Sequence, residues 1–312
     1  MNTGVISLSV AFTFWGFIPI YWKQLETVPA IQLVCHRLVW SCVVLFVLIL
    51  GLGRRAAFVA AVASWRIVGV YLLSSIFVTG NWLICIWAIN AGYIVETSLG
   101  AFINPLIYVL FGLIVFKETL RPWQWVAVGL AAAGLAVTAV AYGKFPWIAL
   151  TVALTFALYG LVKKLAPLSS FFGLALETAL LSPFALAYLV VVEATDAKPA
   201  FGHVNTLSTC LIIGGGFITI VPLILFSSGA KTVPMTLLGV LQYITPSLQF
   251  VVGVAIYHEP LSMLKLAGFI LVWVGLVAYT IDSLYHRTSE EQPDTNGDIA
   301  NAEDSIDNYH KV

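Results

Sequence analysis

Residues 102–120, FINPLIYVLFGLIVFKETL, return 141 positions later as residues 243–261, YITPSLQFVVGVAIYHEPL. The shift lays Phe102-Ile103-Asn104-Pro105 on Tyr243-Ile244-Thr245-Pro246, Gly112 on Gly253, Glu118 on Glu259 and Leu120 on Leu261. Carried onward it lays Gly134 on Gly275. Near the starts, Ala11-Phe12-Thr13-Phe14 meets Ala153-Leu154-Thr155-Phe156 with one extra residue. Glycine and leucine are common in apolar sequence. A proline, two glycines and a glutamate at one fixed offset are harder to dismiss, and the chain reads as two related halves.

The composition around this repeat sets the solvent. Of 312 residues, 60% are hydrophobic and 10% charged, with a mean hydropathy of +0.97. A soluble domain is about half apolar and one quarter charged, because a core needs a polar shell of comparable area. The composition therefore excludes a soluble enzyme, a nucleic-acid binder and a disordered scaffold. Lipid is the expected surrounding, and a helix crosses it with roughly 20 apolar residues. Apolar windows between charges and Gly/Pro punctuation predict ten spans, at 4–22, 32–52, 67–89, 95–116, 123–141, 146–162, 171–192, 207–228, 235–257 and 264–283. Runs this continuous are not amphipathic, so they are buried in lipid or in one another.

The spans divide into a first repeat over 1–142 and a second over 143–287, followed by a tail at 288–312. Five spans is an odd number, so the second repeat enters the membrane with opposite polarity. The expected fold is an all-α membrane protein with ten transmembrane helices arranged as two inverted five-helix repeats. Secondary transporters are built this way, with a pseudo-two-fold axis in the membrane plane and the binding site close to it.

Charge supplies the orientation. With a cytoplasmic N-terminus, the inner segments hold Arg54, Arg55, Arg66, Lys117, Arg121, Lys163, Lys164, Lys231, Arg287 and Lys311; the outer ones hold Lys23, Lys144, Lys198 and Lys265. That asymmetry follows the positive-inside rule and makes both termini cytoplasmic. Net charge is formally zero only because the end of the chain is acidic. Glu290, Glu291, Asp294, Asp298, Glu303, Asp304 and Asp307 crowd the last residues, and the tail reads as a solvated disordered segment. Cys35, Cys42, Cys85 and Cys210 fall in apolar runs without zinc-ligand spacing and read as small core residues.

An ordered set of short strings carries a family likeness. They are Phe14-Trp15-Gly16, His36-Arg37 with Trp40-Ser41, Gly80-Asn81-Trp82-Leu83, Ser98-Leu99-Gly100 and Phe102-Ile103-Asn104-Pro105-Leu106. They continue with Tyr159-Gly160-Leu161-Val162-Lys163-Lys164, Glu177-Thr178, Val221-Pro222-Leu223 and Gln242-Tyr243-Ile244. The chain resembles the RarD branch of the EamA family, in the drug/metabolite transporter superfamily, from the first span to about Asp282. The resemblance implies a permease or exporter of a small organic solute or drug in the bacterial inner membrane. It also implies a central cavity lined by spans 1–4 and 6–9, with spans 5 and 10 packed outside. Ala101 departs from the pattern, which has an aromatic residue at that position, and this bears on pocket width.

The residues able to carry transport are the exceptions to the apolar rule. Away from the span ends the ionisable groups are His36 and Arg37 in the second span and Glu177 in the seventh. Charges at such depth face a wet cavity or a partner; snorkelling is the plainer reading for Arg37. The repeat lays His36 on Glu177 and Arg37 on Thr178. This predicts two polar stations on opposite membrane halves, not an Arg37–Glu177 ion pair. Glu177 or His36 is the candidate carrier for protons as coupling ion; facilitated diffusion fits the sequence equally well.

Pro105 and Pro246 are expected helix breaks, each freeing a carbonyl beside Asn104 or Gln242. Trp15, Trp82, Phe102, Tyr159 and Tyr243 are candidate aromatic walls for flat or cationic solutes, though packing and interfacial anchoring are common uses of such residues. Asn81, an amide inside an apolar span, needs partners. Glu118 and Glu259 read as solvated span ends able to pair in a gate. Gly129, Ala133, Gly134, Gly268 and Gly275 permit close helix approach, within the chain or across a dimer, so monomer and homodimer both stay open.

The expectation is therefore a secondary-active or facilitative transporter working by alternating access, with no cofactor and no metal. A membrane-embedded enzyme or a channel is the alternative. No phosphate-binding loop, His-Glu-x-x-His or Gly-x-Ser-x-Gly string is present to favour an enzyme.

Overall fold

The computed structural model describes residues 3–91, 93–142, 145–195, 198–258 and 263–291. Glu259 and residues 292–312, most of the acidic tail, lie outside these. Among the described residues every regular element is a helix: α1 (Thr3–Lys23), α2 (Ala30–Gly51), α3 (Arg55–Ala61), α4 (Trp65–Asn90), α5 (Ile94–Ile114), α6 (Pro122–Tyr142), α7 (Trp147–Leu165), α8 (Ser170–Ala194), α9 (Thr206–Thr232), α10 (Met235–Gln242), α11 (Ile244–Ala255) and α12 (Met263–Glu291).

Seven segments among them are long and apolar enough to cross a membrane: α1, α2, Trp65–Ala88 of α4, α7, α8, α9 and the stretch Met235–Ala255 formed by α10 and α11. Shorter apolar runs occupy α5, α6 and α12, at Leu99–Ile114, Pro122–Val137 and Leu266–Tyr279. Large apolar side chains such as Val47, Leu50, Phe184, Val190 and Phe217 point outward. In water such a surface would associate; in a bilayer it is the solvated surface. The protein is a multi-pass membrane protein.

Helix starts follow the punctuation. Pro29, Pro146 and Pro234 stand at the N-caps of α2, α7 and α10, where a missing N–H costs nothing. Ser169 Oγ accepts the Phe172 N–H at 3.3 Å, and Asn205 Oδ1 accepts the Ser208 N–H at 2.7 Å. These are side-chain caps for α8 and α9.

Two details depart from the sequence reading. The short helix α3 lies between the second and third expected spans, with Phe58 tucked between Phe46 and Phe172. The two proline sites also differ. α5 runs through Pro105 without interruption, whereas the chain breaks at Tyr243, three residues before Pro246. Pro246 has no N–H for the Gln242 carbonyl, and the Tyr243 N–H turns to Val240 O at 3.3 Å. At Pro105 the neighbouring helix sits close. A Cβ on Gly239 would lie 2.5 Å from the Pro105 carbonyl oxygen, so α10 braces α5 there.

α6 and α12 pack on each other and lie at the edge of the bundle. Their glycines are used in this contact. A Cβ on Gly134 would meet Gly268 O at 2.9 Å, and one on Gly275 would meet Ala127 O at 2.8 Å. Inside, α1 packs on α9 and α11, α7 on α4 and α5, and α2 on α8 and α9. This bundle surrounds the site.

Candidate functional site

A cavity of about 280 Å³ lies in one half of the bundle. α1 contributes Trp15, Ile18 and Trp22, spaced by three and four residues and therefore on one helix face. α2 contributes Arg37, and α4 contributes Asn81, Trp82 and Cys85. Thr97, Gly100, Ala101 and Asn104 come from α5, and Val152 and Phe156 from α7. Leu223, Gln242, Thr245 and Gln249 complete the wall. These positions sit towards the C-terminal ends of α1 and α4 and the N-terminal ends of α2, α5 and α7, as antiparallel neighbours require.

Arg37 is the cation of this wall. Its Nε donates to Thr219 Oγ1 at 2.9 Å, and Thr219 Oγ1 in turn donates to Gly215 O at 2.7 Å. The guanidinium carbon stands 4.1 Å from the Trp82 ring centroid and 5.0 Å from that of Trp22. Among the described residues no carboxylate lies within 4 Å of it. A snorkelling arginine would hold its head in water; here two indoles and a threonine hold it against the cavity.

The amides divide their work. Asn81 Nδ2 donates to Val152 O at 2.7 Å and to Thr155 Oγ1 at 3.0 Å, bridging α4 to α7. Asn104 Nδ2 donates to Ala153 O, tying α5 to the same helix. Its Oδ1 has no partner, and neither does Gln242 Oε1. Gln249 Nε2 donates to Trp15 O at 3.2 Å, and Thr245 Oγ1 to Phe12 O at 2.9 Å.

The opposite half is closed. Trp15 and Phe156 form the cavity floor, their ring centroids 5.8 Å apart. Phe226 touches both, and Tyr159 stacks on Phe226 at an interplanar angle of 11°. Beyond these rings, Lys163 Nζ meets Glu177 Oε1 at 2.9 Å, and Ser74 Oγ donates to the same oxygen at 2.6 Å. Lys163 is 1% and Glu177 3% exposed. Lys164 donates to the Ala230 and Val233 carbonyls at the end of α9, and Lys231 donates to Leu168 O. Glu118 accepts from Met235 N, Thr236 N and Thr236 Oγ1 at 2.7–2.9 Å. It caps α10, where helix dipole and free N–H groups favour an anion.

The structure thus brings together Trp15, Arg37, Asn81, Trp82, Asn104 and Gln242, and leaves the other expected site residues apart. His36 faces away from the cavity. Its ring lies 5.2 Å from Phe201 in a separate depression with Gln32 and Trp40, because adjacent helical residues diverge by about 100°. Phe102 and Tyr243 pack with Ala131 and Val272 towards α6 and α12, and Tyr243 Oη donates to Phe102 O at 3.4 Å. Tyr159 is buried below the floor. Glu177 is held by Lys163, which the charge count treats as a solvated inner cation. Glu118 is half-buried as a cap, not a solvated span end. Trp22, Phe156 and Gln249 are wall residues the sequence reading omits. Gln249 is an amide inside an apolar span, the same signal that singles out Asn81, and Trp22 follows Trp15 by seven residues on one helix face.

A polar, aromatic-walled cavity inside a lipid-facing helical bundle gives a solute a place within the membrane, and the known proteins that this chain resembles place it in the class of membrane transporters. The EamA-like transporter family matches residues 2–140. The uncharacterized transporter YojE of Bacillus subtilis is 40% identical over 284 residues, covering 90% of this chain and 94% of its own. Protein RarD of Streptomyces exfoliatus is 38% identical, covering 91% and 90%, and protein RarD of Escherichia coli is 35% identical, covering 92% and 97%. A crystal structure 20% identical in sequence superposes with a TM-score of 0.67 over 90% of this chain and 98% of that one, a likeness of fold. The chain belongs to the RarD branch of the EamA-like transporter family; it is a transporter and not an enzyme.

Proposed function

We propose that this protein moves a small organic solute across the bacterial inner membrane by alternating access, using ten membrane helices arranged as two inverted repeats. The observation that carries the reading is the asymmetry of the bundle: a polar cavity in one half, and an aromatic floor with a buried ion pair sealing the other. The Lys/Arg distribution supports an orientation with the cavity on the outer side and the seal on the cytoplasmic side. The state described is then outward-facing.

Pairs of contacts related by the 141-residue shift support the inverted repeat. Tyr243 bonds its own counterpart Phe102, as residues on a two-fold axis do. Gly134 rests on Gly268 and Gly275 on Ala127, one contact seen twice. Asn104 reaches Ala153 of α7, and its counterpart Thr245 reaches Phe12 of α1. Lys117 and His258 both adopt left-handed backbone, with φ of 53° and 52°.

In this reading Lys163–Glu177 is the latch of the cytoplasmic half. Opening that half separates a buried pair, which is costly while both groups are charged. A proton on Glu177 removes one charge and releases Lys163, so Glu177 is the coupling residue we assign. Glu177→Gln should abolish the pH dependence of flux while leaving solute exchange; unchanged pH dependence removes Glu177 from coupling.

Uptake by the purified protein in liposomes tests alternating access. Flux should saturate with solute concentration and show counterflow, as a site exposed to one face at a time requires. Flux that neither saturates nor shows counterflow would mean an open pore, and the channel reading would replace this one.

A further inference from the structure

We infer that the cavity binds a small monoanionic carboxylate with an apolar or aromatic body and an N–H or O–H donor at its far end. The inference rests on the reading of the cavity as the solute site. Arg37 presents a guanidinium whose one protein hydrogen bond among the described residues uses Nε. The two Nη groups, the fork that matches a carboxylate in two parallel bonds, remain for a ligand. With no acid within 4 Å among the described residues, Arg37 gives the wall a positive charge without an ionic partner there. Arg37 is half-buried, and a charge drawn partly out of water gains from a partner, which a bound anion supplies. One cation suits one negative charge, which favours a carboxylate over a dianionic phosphate. It also excludes the cationic solutes that the aromatic walls alone would suit.

The far end of the ligand is set by two orphan acceptors. Asn104 is 2% and Gln242 9% exposed, and both line the cavity. Asn104 Oδ1 and Gln242 Oε1 have no hydrogen-bond partner. The Asn104 amide is oriented by its Nδ2 bond to Ala153 O, which fixes the free atom as an acceptor. An unpaired buried acceptor is unfavourable, and a small turn of either amide towards a ligand N–H or O–H satisfies it. At 1.5 Å per residue, Arg37 lies about 10 Å and Asn104 about 15 Å from the N-terminal ends of α2 and α5. The anion site is therefore the outer one and the donor site the deeper one, with Trp15, Trp82, Phe156 and Leu223 around the body between them.

The test is ligand binding by the purified full chain in detergent, read by tryptophan fluorescence or calorimetry. The probes are 4-hydroxyphenylacetate, which has both poles, phenylacetate, which lacks the donor, tyramine, which lacks the carboxylate, and inorganic phosphate. We expect saturable binding of 4-hydroxyphenylacetate, weaker binding of phenylacetate, none of tyramine and no competition by phosphate. Arg37→Gln should weaken 4-hydroxyphenylacetate binding at least about tenfold, as loss of a charge-assisted bond does. Arg37→Lys should recover part of that loss, which shows that the site still folds. Asn104→Leu should remove the preference for 4-hydroxyphenylacetate over phenylacetate.

Tyramine binding as well as the acids, phosphate displacing them, no saturable binding of either acid below about 1 mM, or an unaffected Arg37→Gln would each overturn the ligand class. None of these results touches the transport reading, which stands on saturable flux with counterflow in liposomes. Conversely, Arg37-dependent binding combined with non-saturating flux and no counterflow would keep the ligand class and discard alternating access.

Discussion

Arg37 and Glu177 are both charges set within apolar helices, and the two halves of the bundle treat them oppositely. Glu177, in the closed half, has a cation at 2.9 Å and a hydroxyl at 2.6 Å on the same oxygen. Arg37, beside the cavity, has a threonine and two indole faces, and no carboxylate within 4 Å among the described residues. Among the described residues Glu177 thus has an ionic partner within 4 Å and Arg37 has none. A charge with its counter-ion holds helices together, one without can take an anionic ligand, and depth in the membrane alone does not distinguish the two.

The contrast breaks most readily at the ion pair. Lys163→Met strands a carboxylate in a buried site, and we expect a stability loss of about 3–5 kcal/mol in denaturant unfolding in detergent. The double variant Lys163→Met/Glu177→Leu should recover most of it, since a buried pair replaced by apolar groups is often neutral. A double variant no better than the single one would mean that the pair is not the closure. Arg37→Met strands no charge, so its unfolding cost should be limited to a hydrogen bond and ring contacts, about 1–2 kcal/mol. A loss equal to that of Lys163→Met would erase the distinction drawn here. Glu118→Ala removes the cap of α10 in the closed half and should cost about 1 kcal/mol. The same variant should leave binding of 4-hydroxyphenylacetate unchanged, because Glu118 does not line the cavity.

Much of the fold was legible because each helix is a local property. Apolar run length, proline at the N-cap and charge at the ends are read from neighbouring residues, and the observed helices fall on the expected windows. The site was legible in part. Asn81, Asn104 and Gln242 stand out as amides in apolar spans, and Trp15 and Trp82 as aromatics beside them. His36 was singled out as an ionisable group within a span, but one residue of helical rotation from Arg37 sends it to Phe201. Phe102 and Tyr243 were expected among the aromatic walls, yet they pack on each other towards α6 and α12. The two prolines look equivalent in sequence, but α10 braces α5 at Pro105 while the chain parts at Tyr243.

The sequence by itself determined that lipid is the solvent, where most of the helices run and which polar groups lie within the spans. Each of these depends on the free energy of a residue in its own stretch of chain, so nearby sequence suffices. Tertiary structure alone decided which polar groups have partners. Lys163 lies beyond the end of its expected span, and only the packing of α7, α8 and α4 brings it, Glu177 and Ser74 to one point. Arg37 lies inside its span, and only the cavity bordered by α1, α2, α4 and α5 leaves it without a carboxylate within 4 Å among the described residues. Electrostatic energy inside a membrane depends on distances of a few ångströms between separate helices, and those distances are set by packing, not by position along the chain.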